Sequence, residues 1–154
     1  MSNKSAAKRI QIVSLKMVRE STILYEARKI SSPKDAAGLG QRFLEEADRE
    51  QVIVCCLDNK NVPINLNVVS MGTLNTSLIH PREVFKTAIM SNAASIVLFH
   101  NHPSGDPEPS QEDISITKRI ADAGTLMGIE LLDHIIIGLE GRYLSLKEHG
   151  HLKK

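Results

Sequence analysis

The spacing of apolar residues changes repeatedly along the chain, and each change predicts a new secondary-structure element. After Ser32 and Pro33, which suit the cap and the first position of a helix, apolar residues recur at helical spacing to about Ala47. Nearly continuous apolar runs at 50–57 and 94–100 instead predict strands that are covered on both faces. Helices and buried strands therefore follow one another along the chain.

The segments that remain extend this alternation. In order, they predict a return strand at 62–69, a helix from Pro81 to near Asn92, a helix between Ser110 and Gly128, and strands at 129–137 and 143–146. In the helix after Ser110, apolar spacing predicts a buried face made of Ile116, Ile120, Ala123 and Met127. Strands and helices that interleave in this way indicate a single α/β domain.

The first 30 residues differ from the rest in charge and in pattern. They contain seven Lys and Arg side chains against only Glu20 and Glu26. Apolar and β-branched residues at 10–30 lack a clean period, and they predict one or two strands. The basic residues allow two interpretations, a contact for nucleic acid or another partner and a solvated charged segment. We therefore divide the chain into an N-terminal extension at 1–30, a domain at 31–148 and a polar tail at 149–154.

The composition is that of an ordinary globular domain. The chain has 154 residues, 42% of them hydrophobic, and a formal net charge of +1, which provides no overall field for nucleic acid. Cys55 and Cys56 are neighbours in a predicted strand, so their side chains point to opposite faces and are interpreted as small core residues. The chain shows no 18-residue apolar run and no signal peptide. We expect a cytoplasmic protein without a membrane partner.

Polar residues at the end of the strand at 94–100 predict a metal site. His100 and His102 face the same side of that strand, because side chains two residues apart share a face. A turn rich in Pro and Gly then leads to Ser110 at the cap of the next helix and to Asp113 in its first turn. Two imidazoles and one carboxylate suit Zn²⁺ and leave a fourth tetrahedral position for water, as in catalytic zinc sites.

Each part of this cluster also has a purely structural interpretation. A His-x-His pair is often a surface feature, and Ser110 with Asp113 is a variant of the capping box that stabilises many helices. His134, in the apolar strand at 129–137, allows either a core imidazole with a backbone partner or a residue that supports the zinc ligands. The combination of strand, turn and capped helix favours the metal site.

The same residues resemble a known superfamily of metalloproteases. His100-x-His102-x7-Ser110-x2-Asp113 is similar to the motif of the JAMM (JAB1/MPN/Mov34) superfamily. The longer string His100-Asn-His-Pro-Ser-Gly-Asp-Pro-Glu-Pro-Ser110 resembles its RadC branch. The likeness extends to residues 33–147, with further agreement in the strings Gly72-Thr-Leu-Asn75, His80-Pro-Arg-Glu-Val84 and Leu132-Asp-His-Ile135.

The resemblance implies a fold and a metal site. The fold is a cytidine-deaminase-like, three-layer α/β arrangement in which helices flank a mixed β-sheet. One Zn²⁺ is held by His100, His102 and Asp113, and Glu50, at the start of a strand, is the general base for a water activated by zinc. Three other glutamates fit the family pattern less well: Glu45, Glu46 and Glu83. The implied activity is that of a zinc metallopeptidase-like hydrolase of peptide or isopeptide bonds.

Ser110 has two roles that compete. If its hydroxyl points into the site, it can donate a hydrogen bond to the oxyanion that develops on the substrate. If the hydroxyl caps the helix, it serves stability. We predict that both roles cannot be complete at once.

Two departures from the family pattern affect the expected partners. Asn101 stands between the histidines where deubiquitinating members have Ser or Thr, so their isopeptide specificity does not transfer directly. The chain is also too short for the N-terminal helix-hairpin-helix segment that the RadC branch usually carries, so DNA association through it is expected to be reduced. The alternative function is a zinc-containing binding module, non-catalytic or associated with DNA repair. A peptide or protein substrate and a homo-oligomer formed through a sheet edge are the expected partners.

Overall fold

Three helices and five strands make up the described part of the chain, which is residues 5–72 and 79–153 of a computed structural model. They are α1 Pro33–Leu44, β1 Gln51–Leu57, β2 Pro63–Met71, α2 Pro81–Met90, β3 Ser95–Asn101, α3 Gln111–Met127, β4 Glu130–Ile137 and β5 Tyr143–Ser145. The elements predicted from Ser32 onward are thereby confirmed, with ends that shift by a few residues. Residues 73–75 of the string Gly72-Thr-Leu-Asn75 lie outside the described residues.

A mixed five-stranded sheet forms the centre of the domain, in the order β2-β1-β3-β4-β5. β1 pairs antiparallel with both β2 and β3, whereas β3 and β4 run parallel. α1 packs on one face of the sheet, and α2 and α3 pack on the other. The described chain is therefore a three-layer α/β domain, as predicted. Association of two copies through a sheet edge stays a prediction.

Position along the central strands decides which helix layer a side chain faces. Of the buried apolar residues on β1 and β3, the even-numbered ones pack with α2 and α3, and the odd-numbered ones pack with α1. The even set is Val52, Val54, Cys56, Ile96 and Leu98, and the odd set is Ile53, Cys55, Leu57, Val97 and Phe99. This alternation follows from the period of two in an extended strand. Even-numbered residues at the same ends of these strands are therefore expected to face α3 as well.

The described helices are short, and each is apolar on one side. The longest of them, α3, has 17 residues. None of the helices within 5–72 and 79–153 has both the length and the apolar character needed to cross a bilayer. α3 buries Ile116 and Ile120, but Met127 is 44% exposed, so its predicted burial is wrong. Met127 is the last helical residue, where the chain turns away at the left-handed cap Gly128.

The N-terminal arm, residues 5–24, contains no strand, so the one or two strands predicted at 10–30 are wrong. Its apolar side chains are exposed, and Ile12 is completely so. A strand persists only where a neighbour pairs its N–H and C=O groups and covers its apolar side. Within the described chain the arm has no partner strand, and its apolar side is not covered.

At the other terminus, Leu152 of the polar tail packs into the core beside α2 and α3.

A glycine sets how closely α1 approaches the sheet. A Cβ atom added to Gly40 would lie 2.6 Å from Cδ1 of Phe99, far inside van der Waals contact. Phe99 is fully buried on β3 and directly precedes His100. Gly38, on the exposed side of the same helix, has no atom within 4 Å of an added Cβ. The helix can therefore rest on Phe99 only because residue 40 has no side chain.

We predict opposite effects on stability for alanine at these two glycines. Gly40→Ala should lower the free energy of unfolding by about 1–3 kcal/mol, because the added methyl group overpacks the contact with Phe99. Gly38→Ala should raise it by about 0.5–1 kcal/mol, because Ala is the better helix former at an open position. Urea denaturation of both variants provides the measurement. Equal effects would contradict the close approach of α1.

Candidate metal centre

The pairing of β1 with β3 brings Glu50, His100 and His102 to one face of the sheet. Val52 lies opposite His100 in this antiparallel pair, so Glu50, two residues earlier, continues opposite His102. These positions share the even numbering that faces α3. The main-chain N–H of His102 donates to the carbonyl of Ile137 on β4 at 2.8 Å, which holds His102 in line with the sheet.

Asp113 reaches the same point from the first turn of α3. Ser110 Oγ accepts a hydrogen bond from the Asp113 N–H at 3.1 Å, and Asp113 Oδ2 accepts one from the Ser110 N–H at 2.8 Å. The two bonds form a complete capping box, in which each residue satisfies a free donor of the helix end. The box therefore fixes a buried carboxylate beside the two imidazoles.

Four side chains converge at the end of β3. Nε2 of His100 lies 3.4 Å from Oε1 of Glu50 and 3.4 Å from Oδ1 of Asp113. Nε2 of His102 lies 3.3 Å from Oδ2 of Asp113. Ligand atoms of Glu50, His100 and His102 all lie within 4.8 Å of one another and could hold one metal ion. Two sets of three ligands therefore share the histidine pair, one completed by Glu50 and the other by Asp113.

Both imidazoles turn the same nitrogen toward this point. Nδ1 of His102 lies 2.8 Å from the carbonyl oxygen of Asp106, which can only accept, so Nδ1 carries the proton. Nδ1 of His100 lies 3.0 Å from Nε2 of His134. Among the described residues, Nε2 of His100 is buried without a hydrogen-bond partner. Histidines that bind metals commonly have one nitrogen held by a hydrogen bond and the other presented to the ion.

His134 is a buried core imidazole, as one interpretation expected, but its ring contacts side chains, so the expected backbone partner is wrong. Its Nδ1 lies 2.6 Å from Oγ1 of Thr117, and its Nε2 lies against His100. Complete burial lowers the pKa of His134 below its usual value, so the ring is neutral near pH 7. Thr117 lies one turn after Asp113 on α3. The sequence did not single it out, because a threonine inside a helix gives no signal of such a role.

The charges in the cluster favour an ionised carboxylate. Burial alone would raise the pKa of Asp113, but the hydrogen bond with His102, the neighbouring His100 and the Ser110 cap together lower it. The hydrogen bond with Asp113 raises the pKa of His102, although partial burial opposes this. Metal ligands must be deprotonated, so a divalent ion would compete with the proton on His102. The Asp113 carboxylate is therefore already in the ionised form that a metal ion needs.

The cluster is closed toward the sheet and open on its other side. The side chains of His100 and Asp113 are 0% and 2% exposed, whereas those of His102 and Glu50 are 16% and 20% exposed. His102 also lines a cleft of about 680 Å³ between α1 and the turn that joins β4 to β5. His102 and Glu50 are therefore the side chains of the cluster that solvent can reach, and His102 is the one that borders the cleft.

Asn101, between the two histidines, holds the chain on both sides of Glu50. Its Oδ1 accepts a hydrogen bond from the Gln51 N–H at 2.7 Å, and its Nδ2 donates to the carbonyl of Arg49 at 3.0 Å. The main-chain pairing of β1 with β3 has ended at this point, so a side chain continues it. Sequence reasoning treated Asn101 only as a departure from the family pattern and missed this contact, which depends on a residue 50 positions away.

The segment that contains these residues matches a known protein family. Residues 30–151 match the profile of the RadC-like JAB domain, and this range includes all four converging side chains. The chain belongs to the RadC-like JAB domain family. The resemblance inferred from the histidine motif is thereby confirmed.

Relatives of this RadC-like domain occur in archaea and bacteria. The chain is 52% identical over 126 residues to a UPF0758 protein of Methanosarcina barkeri, a match that covers 82% of the chain and 55% of that relative. It is 50% identical over 149 residues to a UPF0758 protein of Clostridium acetobutylicum, with 95% and 65% covered. The chain therefore spans between 55% and 65% of the length of these two relatives. The UPF0758 name states no activity.

We predict that the RadC-like domain binds one divalent transition-metal ion per chain and that Asp113, not Glu50, completes the ligand set. Asp113→Asn keeps an oxygen that can accept from the Ser110 N–H but removes the anionic ligand, so metal affinity should fall by more than about 100-fold. Glu50→Gln should leave affinity close to that of the unchanged chain. Competition with a chromophoric chelator measures both, and circular dichroism controls for folding. The reverse order of effects would make Glu50 the ligand.

Proposed function

We propose that the chain is a zinc-dependent hydrolase of the JAMM type that cleaves a peptide or isopeptide bond. The main support is that the Nε2 atoms of His100 and His102 lie 3.3–3.4 Å from oxygens of a buried carboxylate while their Nδ1 atoms are already engaged. A metal ion needs both Nε2 atoms deprotonated, and a cation between them would then relieve the repulsion between their lone pairs and the carboxylate. Membership of the RadC-like JAB domain family supports the same conclusion.

The distances from the two imidazoles to Asp113 are compatible with zinc. Zinc binds histidine nitrogen and carboxylate oxygen at about 2.0–2.1 Å, with ligands at the corners of a tetrahedron. The edge of a tetrahedron is about 1.63 times the distance from its centre to a corner, so neighbouring ligand atoms lie about 3.3–3.4 Å apart. Nε2 of His100 lies 3.4 Å from Oδ1 of Asp113, and Nε2 of His102 lies 3.3 Å from Oδ2, so each distance matches such an edge, but to a different oxygen of the carboxylate. Nitrogen and oxygen donors without thiolate also agree with the preference of this ion.

We assign Asp113 to zinc, with His100 and His102, and Glu50 to proton transfer. The Asp113 carboxylate is buried, is oriented by the Ser110 N–H and contacts both imidazoles. The Glu50 side chain lies on the open side of the cluster and is 20% exposed, where it can reach water and a substrate. A ligand benefits from rigid burial, whereas a proton carrier needs access to the molecules that react.

Hydrolysis then uses the residues of the chain in separate roles. Bound zinc supplies the Lewis acidity that polarises the substrate carbonyl and lowers the pKa of water to about 7. Glu50 accepts a proton from the attacking water and passes it to the leaving amine as the C–N bond breaks, which leaves a carboxylic acid and an amine. Ser110 Oγ caps α3 by accepting from the Asp113 N–H, which occupies a lone pair and leaves the hydroxyl proton, so the expected competition between its two roles is only partial. We propose that this proton is donated to the carbonyl oxygen as negative charge develops.

A peptide or protein substrate suits the cleft beside His102. The cleft is bounded by α1 and by the turn at 138–141, and Gln41 Nε2 donates to the carbonyl of Gly141 at 3.0 Å across it. Its walls combine apolar side chains such as Leu139 with charged ones such as Arg42. Of the four converging side chains only His102 lines this cleft, so we propose that an extended chain held there meets the metal cluster at His102.

We predict that Glu50→Gln abolishes most of the hydrolysis and keeps the metal. Replacement of the general base should lower kcat by about 100-fold to 10,000-fold, because the amide cannot accept the proton. The assay uses the zinc-loaded chain of 154 residues with a library of fluorescence-quenched peptides. Glu46→Gln is the matched control, since Glu46 is exposed beyond the end of α1 and should leave kcat unchanged. Equal rates for both variants, or no cleavage of any peptide by the unchanged chain, would contradict the proposal.

We also propose an alternative, a zinc-containing binding module associated with DNA repair that acts through nucleic acid or another partner. The observation that favours it is the N-terminal arm, where Lys8, Arg9, Lys16 and Arg19 are exposed. Phosphate contacts weaken steeply with salt, so DNA retention should fall sharply between about 50 and 200 mM salt. A filter-binding titration measures this, and no retention at low salt would exclude the alternative.

We propose a cytoplasmic location for the protein. Cys55 and Cys56 are free and buried on opposite faces of the sheet, which confirms them as core residues. Burial raises the pKa of both thiols, that of Cys56 to about 11, so they stay protonated and unreactive. Free thiols of this kind are compatible with a reducing compartment.

A further inference from the structure

We propose that Thr117 and His134 are positioning residues that decide which nitrogen of His100 carries the proton, so that the other nitrogen is available to a metal ion. This inference rests on the proposed zinc site and explains how the site is prepared before any ion arrives. Three hydrogen bonds in series, all within the buried layer between α3 and the sheet, carry the proposal.

The series begins at the main chain of α3. Oγ1 of Thr117 lies 2.6 Å from the carbonyl oxygen of Asp113, one turn earlier in the helix. A carbonyl oxygen can only accept, so the single hydroxyl proton of Thr117 must be donated to it. Toward any other neighbour, Thr117 can therefore offer only a lone pair.

That neighbour is His134. Its Nδ1 lies 2.6 Å from Oγ1 of Thr117, so Nδ1 must carry a proton and donate it. In a neutral imidazole only one nitrogen is protonated, and His134 is 1% exposed with no carboxylate oxygen in hydrogen-bond contact with its ring among the described residues. Nε2 of His134 is therefore an acceptor.

The last step fixes His100. Its Nδ1 lies 3.0 Å from Nε2 of His134, so Nδ1 of His100 must donate, and Nε2 of His100 keeps its lone pair. Nε2 of His100 lies 3.4 Å from Oδ1 of Asp113, so its lone pair points to the place where a metal ion would be bound. The opposite tautomer would put an N–H there instead. α3 thus supplies the anionic ligand through the side chain of Asp113 and orients His100 through the carbonyl of the same residue.

Thr117→Val is the deciding variant, because valine has the shape of threonine without the hydroxyl. His134 then loses the acceptor for its Nδ1 proton and is free to protonate Nε2, which reverses the bond to His100. Thr117→Ser keeps the hydroxyl and is the conservative rescue. Thr125→Val is the matched control, since Thr125 Oγ1 donates to the carbonyl of Ala121 at 3.1 Å on the same helix, far from the site.

Two readouts are taken on the full chain. Long-range proton–nitrogen NMR of metal-free protein labelled with ¹⁵N reports which nitrogen of each ring is protonated, and competition with a chelator gives the zinc affinity. We expect the Nδ1–H form for His100 and His134 in the unchanged chain. Thr117→Val should move His100 toward the Nε2–H form and weaken zinc binding by about 10-fold to 100-fold. His102, which donates to Asp106, should keep its form in every variant.

Three results would overturn the inference. They are an Nε2–H form for His100 in the unchanged chain, a folded Thr117→Val protein with the original tautomer and zinc affinity, and an equal loss of affinity in Thr125→Val. If Thr117→Val does not fold, the NMR spectra of the unchanged chain and of Thr117→Ser still decide. The tautomers are measured without metal. If the chain neither binds zinc nor hydrolyses peptides, the proposed function fails, but the NMR result for His100 and His134 still stands by itself.

Discussion

The unshared lone pair on Nε2 of His100 is the constraint on which the organisation of this domain depends. The atom is buried, faces carboxylate oxygens of Glu50 and Asp113 at 3.4 Å each, and has no hydrogen-bond partner within the described chain. A buried polar atom left in that state costs about 1–3 kcal/mol, and the facing negative charges add to the cost. Folded proteins tolerate such an arrangement where a bound cation or a reaction requires it.

The fold produces this arrangement through two separate connections. Antiparallel pairing of β1 with β3 sets Glu50 beside the histidines, and Asn101 extends that pairing past the last main-chain contact. The parallel strands β3 and β4 are joined by α3, so the start of α3 lies near the end of β3 that carries His100. The capping box then turns the Asp113 carboxylate inward. Stability and the proposed chemistry thus share the same residues, because the box that ends the helix also orients the ligand.

Local patterns were sufficient to predict the elements and part of the site. The shared face of His100 and His102 follows from strand geometry alone, and the cap formed by Ser110 with Asp113 follows from their spacing. Glu50 was found through the family resemblance, since its position opposite His102 requires the register of two strands that are distant in sequence. The contacts among His100, Thr117 and His134 lie beyond sequence reasoning for the same reason: three elements must first assemble. The strands expected at 10–30 failed because β-branched residues indicate a preference and do not supply a partner strand.

A crystal structure of the zinc-loaded chain, with anomalous scattering measured at the zinc edge, would show whether His100, His102 and Asp113 together hold the ion. We expect one anomalous peak per chain, at about 2.0–2.1 Å from Nε2 of His100, Nε2 of His102 and one oxygen of Asp113. A water should hold the fourth position, with the Glu50 carboxylate within hydrogen-bond distance of it. Direct binding of Glu50 as a fourth protein ligand, or the absence of any peak between these side chains, would rule out this assignment of ligands and base.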